Sequence, residues 1–347
     1  MDYAGIDVRN LRFPVNRPLS GSERLGRLDK NVKASEDPCS LMSVIRVNST
    51  FMELVDRWYP GKGFNAWLGL MAGLAYIPMS GYFLWNIIIF GPPFNADEQW
   101  IPWAFGLFIL PVSVFIIAGV YWLVRSECFR WTHYPMRLNR KERKVYVFRQ
   151  NGTVFCADWD KLFFFIGEST TPPLGKTNDL RMHLLSDDGG VVLETYTLGY
   201  AYMSEREDLM RLWEFFRQYM EYDNGPELAA AEVPIFLPIH DRREGFLFGV
   251  FRAFAIFMRF PVLHLIFSIP FGFISLCRWL AMTTSRIPTW PHEVQAANEI
   301  SAGDPFQRDW RDNNKLGFVE LIWPLICTVI GVVCGVWIVW SMIQATS

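Results

Sequence analysis

The chain has 347 residues, 51% hydrophobic and 16% aromatic, with a mean hydropathy of +0.14. Only 20% of its residues are charged, below the roughly 25% usual in soluble domains, so membrane spans mixed with soluble segments are expected. A net charge of −2 gives no global field for nucleic acid, and six scattered cysteines with neither a CxxC nor a histidine cluster give no support to a zinc centre or a disulfide framework.

Residues 1–60 read as a polar N-terminal region. The stretch "MDYAGIDVRNLRFPVNRPLSGSERLGRLDKNVKASEDP" has no apolar h-region, so a signal peptide is not expected. It is expected to lack a stable core, while part of it docks onto a folded domain.

Residues 61–125 read as a pair of transmembrane helices. No charge lies between Lys62 and Asp97, and about 20 apolar residues suffice to cross a bilayer, so a first span is expected at 64–90. "WIPWAFGLFILPVSVFIIAGVYWLV" gives a second at 101–124, with Trp100, Trp103, Tyr121 and Trp122 near its ends, where amphipathic rings favour the interface. The connection "GPPFNADEQW" holds no Lys or Arg, whereas Arg46, Arg57 and Lys62 precede the pair and Arg125, Arg130, Arg137, Arg140, Lys141, Arg143, Lys144 and Arg149 follow it. That asymmetry places the N-terminus and residues 126–240 in the cytoplasm.

From Thr132 the apolar pattern takes a period of two. "PMRL", "KVYVFRQ", "TVFCAD", "LFFFI", "LRMHLLS" and "VVLETYT" read as six antiparallel strands between 133 and 197. Asn151-Gly152 is expected to form a type I′ turn, "STTPPLGKTND" a loop, and "DDGG" a further hairpin turn. "SEREDLMRLWEFFRQYMEYD" reads as a helix capped by Ser204 with Glu207, its apolar face carrying Leu209, Trp213, Phe216 and Met220. Arg206, Asp208, Arg211, Glu214 and Arg217 are expected on its outer face.

Residues 236–285 form an apolar membrane segment, a span or a re-entrant insertion. Arg252 and Arg259 lie seven apart and are expected on one helical face; Phe260 to Cys277 holds no Arg, Lys, Asp or Glu, and Pro261, Pro270 and Gly272 weaken any straight helix there. A polar loop at 286–317 and a last span at 321–343 within 318–347 complete the chain. Basic residues flank the apolar segment on both sides and precede the last span, which favours a segment that enters and leaves on one side and an exported C-terminus. Four simple spans with both termini inside is the alternative.

The element order over residues 130–225 resembles a pleckstrin-homology-like domain, a half-open antiparallel barrel plugged by a C-terminal helix. The whole then reads as an α+β multi-pass membrane protein, with transmembrane helices flanking a cytoplasmic domain at 126–235. The stretches "FRWTHYPMRLNRKERKVYVFR", "LETYTLG" and "RWLAMTTSRIPTWPHEVQAANEISAGDPF" resemble an uncharacterised family of bacterial inner-membrane proteins encoded beside type VI secretion effectors. That resemblance implies an immunity or accessory role and brings no catalytic residues.

No GxSxG, P-loop, HExxH or dinucleotide-binding glycine pattern occurs. Catalytic, metal and cofactor-binding residues are therefore expected to be none. The candidate lipid- or partner-binding residues are Arg137, Arg140, Lys141, Arg143 and Lys144 at the first hairpin, with Arg252 and Arg259 in the membrane segment. His240-Asp241 reads as a solvated turn, and "GDPFQRDWRD" as a solvated or salt-bridged loop. Gly69–Gly73 and Gly331–Gly335 are GxxxG spacings that would let helices approach closely. The expected function is a non-enzymatic inner-membrane protein whose cytoplasmic domain binds a protein partner, with the lipid bilayer as its other contact. The alternative is a membrane-anchored module sensing anionic lipid; a transporter or channel has less support because no intramembrane acid is present.

Overall fold

The computed structural model describes residues 13–90, 100–171, 175–199 and 206–346. In chain order its elements are β1 (Arg17–Pro18), α1 (Gly21–Leu25), β2 (Arg27–Leu28), β3 (Val44–Val47), β4 (Phe51–Leu54), α2 (Phe64–Phe90) and α3 (Trp100–Glu127). Six strands follow: β5 (Met136–Asn139), β6 (Lys144–Phe148), β7 (Val154–Asp158), β8 (Leu162–Thr171), β9 (Gly175–Leu185) and β10 (Val191–Thr197). The remainder is helical: α4 (Arg206–Glu221), α5 (Gly225–Glu232), α6 (Phe246–Phe254), α7 (Pro261–Ile266), α8 (Ser268–Thr284), α9 (His292–Ala297) and α10 (Trp323–Thr346).

These elements fall into two compact units, each built from three pieces of chain. The sheet unit comprises the described part of the first 60 residues with Trp131–Glu244 and Ile287–Leu316; the helical unit comprises Gly61–Arg130, Gly245–Arg286 and the described part of the chain from Gly317.

In the sheet unit, two antiparallel sheets of five strands have the orders β3-β4-β5-β6-β7 and β1-β10-β9-β8-β2. Residues 13–60, read from sequence as a polar region, supply four of these strands. Strand β4 pairs with β5 in the register Phe51↔Asn139, Glu53↔Arg137. One core joins the inner faces to α4: Met52, Leu54, Met136, Leu138, Phe164, Met182 and Tyr196 meet Leu209, Leu212, Trp213 and Phe216. At its centre Trp159 stacks on Trp213 at 5.9 Å, with Phe164 tilted against both. The opposite face of the first sheet is covered too, because Trp290 and Val294 pack on Tyr134, Tyr146 and Phe148.

Several sequence expectations change here. Asn151-Gly152 is not a type I′ turn: Gly152 has φ 85° while Asn151 is not among the residues of positive φ. Gly152 N–H donates to Arg149 O at 2.9 Å and Arg149 N–H to Thr153 O at 2.8 Å, a type I turn closed by a left-handed glycine. The loop expected over 169–179 is largely strand, since β8 and β9 pair to Thr171↔Gly175; residues 172–174 lie outside the described residues. So does Ser204, the expected cap of α4. Glu214 and Arg217 are buried on α4 and not exposed on its outer face. The N-terminal strap covers them: Ala34 N–H donates to Glu214 at 2.8 Å, and Arg217 donates to Lys30 O at 3.2 Å.

In the helical unit three helices are long and apolar enough to cross a membrane, at Phe64–Asn86, Gly106–Glu127 and Phe318–Met342. At the base of the first pair, the Glu127 carboxylate accepts from the N–H groups of Gly63 and Ala66, each at 3.0 Å, so the end of α3 caps the start of α2. Gly69 sits where an added Cβ would lie 3.2 Å from Val120 O. The segment 245–286 is not one straight helix. It breaks after Phe254 into a 3₁₀ turn and again at Phe267 between α7 and α8. Arg252 is consequently buried while Arg259 is exposed, so the two do not share a helical face.

Gly331 and Gly335 let α10 approach α8, since a Cβ on Gly331 would run into the Ser268 carbonyl and one on Gly335 would lie 2.5 Å from the Phe273 ring. Gly331→Ala should therefore lower the thermal unfolding midpoint of the detergent-solubilised chain. Gly119→Ala, which meets nothing within 4 Å, should leave it unchanged or slightly raised, because alanine favours a helix interior by about 1 kcal/mol over glycine.

Candidate functional site

The basic hairpin between β5 and β6 was the leading candidate surface in the sequence. Strand parity decides the fate of its first residue. Met136 and Leu138 face the core, so Arg137 faces the other side of the sheet, beneath the returning segment that carries Trp290. Its guanidinium carbon lies 4.5 Å from the Phe51 ring centroid and 4.7 Å from that of Trp290. Arg137 is only 4% exposed and donates to Glu53 at 3.4 Å. Glu53 also accepts from Arg46 at 2.5 Å and from the Trp290 indole at 2.7 Å. Burial raises the Glu53 carboxyl, but Arg46, Arg137 and Trp290 outweigh it and hold the group down at about 2. Arg137 thus lies in a closed ion centre and not on the exposed tip of the hairpin.

The next two arginines cap α4. Arg140 donates to Tyr219 O at 2.6 Å and Arg143 to Met220 O at 3.4 Å, so both cations meet the carbonyl end of the helix. Arg143 also makes two 2.7 Å bonds to the Asp160 carboxylate and 3.1 Å contacts to Glu221. Its backbone is left-handed at φ 52°, a turn position held by these side-chain bonds. Lys144 pairs with Glu142 at 3.2 Å, and Lys141 is exposed. The five residues therefore do not form one basic surface: one is buried, two are spent on α4, and Lys141 with the half-exposed Lys144 remain toward solvent.

A different basic cluster lies beside the chain's passage into the helical unit. Trp310 is flanked by two guanidinium carbons, Arg242 at 4.5 Å and Arg311 at 4.7 Å from its ring. Its indole N–H donates to Asp241 at 3.0 Å, while Arg311 bridges Asp241 and, at 2.6 Å, Asp309. His240 is lowered from its ordinary value by burial and by Arg46, against the pull of Asp241 and Asp309. Arg242, Arg243 and Lys315 are exposed. Arg243 stands two residues before Gly245, and Lys315 three before the apolar helix from Phe318. An extended chain covers at most about 3.6 Å per residue, so these cations lie within roughly a Debye length of the start of the apolar segments.

In the sequence each half of this place reads as an ordinary charged turn. The signal was the pairing of "HDRRE" with "RDWRDNNK", which only long-range contact reveals. Asp304, read with Asp309 and Asp312 as three neighbouring carboxylates, is occupied by Ser49, whose N–H and hydroxyl both donate to it at 2.8 Å. Among the described residues no group of His, Cys, Asp and Glu is arranged to hold a metal.

A family model described as a family of unknown function (DUF6708) matches residues 112–301, from within α3 through α9. No curated protein and no solved structure matches the chain.

Removing Arg137 leaves the buried Glu53 carboxylate with Arg46 and Trp290 as partners, a defect worth about 1–3 kcal/mol. Arg137→Ala should thus destabilise the sheet unit by that amount in chemical denaturation, while Lys141→Ala, on an exposed turn, should stay within about 0.5 kcal/mol of the parent.

Proposed function

The chain belongs to the DUF6708 family of unknown function, and on that premise we propose a non-enzymatic, multi-pass inner-membrane protein whose folded domain holds a protein partner at the cytoplasmic face. The observation that carries this reading is the assembly of the sheet unit from three pieces of chain, each continuing into a segment of the helical unit. A domain attached to apolar segments at five points cannot diffuse away from them. That suits capture or blocking at a membrane better than a free-standing catalyst. The excess of Lys and Arg on the flanks of the first helix pair supports the cytoplasmic side for the N-terminus and residues 126–240.

A pleckstrin-homology-like fold for this domain draws support from the order of seven of its ten strands, β1, β2 and β3 being additional. Strands β4 to β7 lie in one sheet, β8 to β10 in the other, and α4 packs against both inner faces. The seventh strand, which residues 133–197 alone do not supply, comes from ahead of the helix pair. An immunity or accessory role at a type VI secretion locus is the sharper form of the proposal, and it rests on the sequence resemblance. Where a toxin gene adjoins that of this chain, co-expression of the two should restore growth and yield a complex that co-purifies from detergent. Growth arrest unchanged by the chain, together with no complex, would sink the immunity role.

The Trp310 cluster favours a second reading, recognition of anionic lipid headgroups. Exposed cations near a membrane surface contribute about 1 kcal/mol each toward anionic lipid, or roughly fivefold in affinity. Native mass spectrometry of the intact protein should show retained phosphatidylglycerol, lost stepwise in Arg242→Gln, Arg243→Gln and Lys315→Gln. Retention equal to the parent in the triple variant would rule out this site.

A further inference from the structure

The segment 245–286 lies between two pieces of one folded unit. Glu244 and Ile287 both belong to the sheet unit. The piece after the segment is tied into that unit by backbone pairing of Val47 with Arg308 at 2.9 and 3.0 Å, by Asn313 with Phe236 at 2.7 and 2.8 Å, and by Trp290 with Glu53 at 2.7 Å. A hydrocarbon layer cannot run through such hydrogen bonds. Both ends of 245–286 therefore emerge on the same face of the bilayer.

Helix α10 serves as a ruler for how far the segment penetrates. The Trp323 indole N–H donates to Pro261 O at 2.8 Å. Val250 and Phe254 of α6 pack on Cys327. Gly331 abuts Ser268, and Gly335 meets Phe273 and Ile269. At 1.5 Å per residue, Gly335 lies about 18 Å along α10 from Trp323. The buried seam of α10 follows these contacts through Pro324, Cys327, Thr328, Gly331 and Gly335 and then stops; Val336 to Trp340 are all exposed.

The inward and outward legs differ in length, and neither is long enough to cross a bilayer. Pro261 is level with Trp323 and Ser268 with Gly331, so α7 advances about as far as eight residues of α10, roughly 12 Å. The 17 residues of α8 then return over about 25 Å, less than the roughly 30 Å of a hydrocarbon core. Near the end of α8, Arg278 donates to Lys62 O at 3.2 Å, and Arg286 N–H donates to Arg130 O at 2.7 Å. These are the start of α2 and the end of α3. Arg259, two residues before Pro261, is level with the first turn of α10, where a cation can reach headgroups. The residues that face outward from the turn of the segment are apolar: Val262 and Ile266 are 70% and 65% exposed.

We propose that residues 245–286 are a re-entrant membrane wedge. Its Val262–Phe267 side packs against acyl chains of the leaflet adjoining the sheet unit, and it turns back without crossing. The chain then crosses three times, through α2, α3 and α10, and residues beyond α10 lie on the opposite face. This rests on the membrane reading above, not on the identity of any partner. The test uses the full chain with its six cysteines replaced by serine or alanine, carrying one new cysteine at a time. An impermeant maleimide is applied to right-side-out and inverted vesicles. Arg259→Cys and Arg286→Cys should label only in inverted vesicles, and Ile266→Cys in neither. A topology reporter fused after Ser347 to the unsubstituted chain should be active only outside the cytoplasm, a readout that needs no cysteine variant to fold. Labelling of Arg259→Cys or Ile266→Cys from outside, or a reporter active in the cytoplasm, overturns the wedge. Recovery of the protein outside the membrane fraction would instead overturn the membrane reading itself.

Discussion

The pairing of β4 with β5 is the constraint on which the rest of the structure depends. The two strands are joined by residues 55–135, which contain a complete pair of apolar helices, yet they exchange hydrogen bonds in unbroken register from Phe51↔Asn139 to Leu54↔Met136. Closing so long a loop carries an entropic cost that grows only slowly with length, provided that the insertion returns to where it left. The Glu127 carboxylate on the first N–H groups of α2 fastens that return. A charged group at a helix N-terminus is stabilised by the unpaired amides and the helix dipole. One half-buried carboxylate thus fastens the base of the helix pair.

Buried ion pairs in the sheet unit lock long-range docking. Glu53 with Arg46 and Arg137 joins three adjacent strands and the returning Trp290. Asp179 on β9 pairs with Arg57 at 2.8 Å, tying the second sheet to the residues just ahead of α2. Glu214 and Arg217 pair on α4 at 2.7 Å under the N-terminal strap. His183 on β9, lowered to about 4 by burial despite Glu23 beside it at 3.3 Å, is neutral near pH 7 and holds the first short helix by a hydrogen bond in place of an ion pair. Desolvating such groups costs about as much as their attraction returns. Their effect is therefore on which segment docks where: a misplaced strap or strand would leave a bare charge inside.

Local pattern was enough for most elements whose stability is local, though not for the length of the β8–β9 hairpin. The three span-capable helices and the six strands of residues 133–197 carry their own periodicity and turn residues, and α4 shows its apolar stripe at Leu209, Trp213, Phe216 and Met220. What local pattern could not reveal is what covers a face. Glu214 and Arg217 look like solvent residues until residues 30–37 fold over them. Arg137 looks like a hairpin-tip cation until Trp290 arrives from more than 150 positions away in sequence. Strands β3 and β4 pair with each other locally, but "VIRV" and "FMEL" are too short to stand out beside a polar segment, and β4 gains its second partner, β5, only across the helix pair.

The arginines illustrate why composition and position are weak guides to a surface. Counting Lys and Arg near apolar segments treats every cation as equally available, and on that count the 137–144 hairpin outranks all others. Geometry removes Arg137 to a pocket between aromatic rings and spends Arg140 and Arg143 on the carbonyl end of α4. The cations around Trp310 are spent differently. Arg311 is held by two carboxylates and, with Arg242, flanks the indole, which fixes the backbone of both chain segments while Arg242, Arg243 and Lys315 stay exposed. On the proposed membrane reading, Arg242 and Lys315 would meet a headgroup without giving up a helix terminus, whereas Arg140 and Arg143 must first give up their bonds to the end of α4. Availability, more than number, ranks the two clusters, and it ranks them opposite to the sequence.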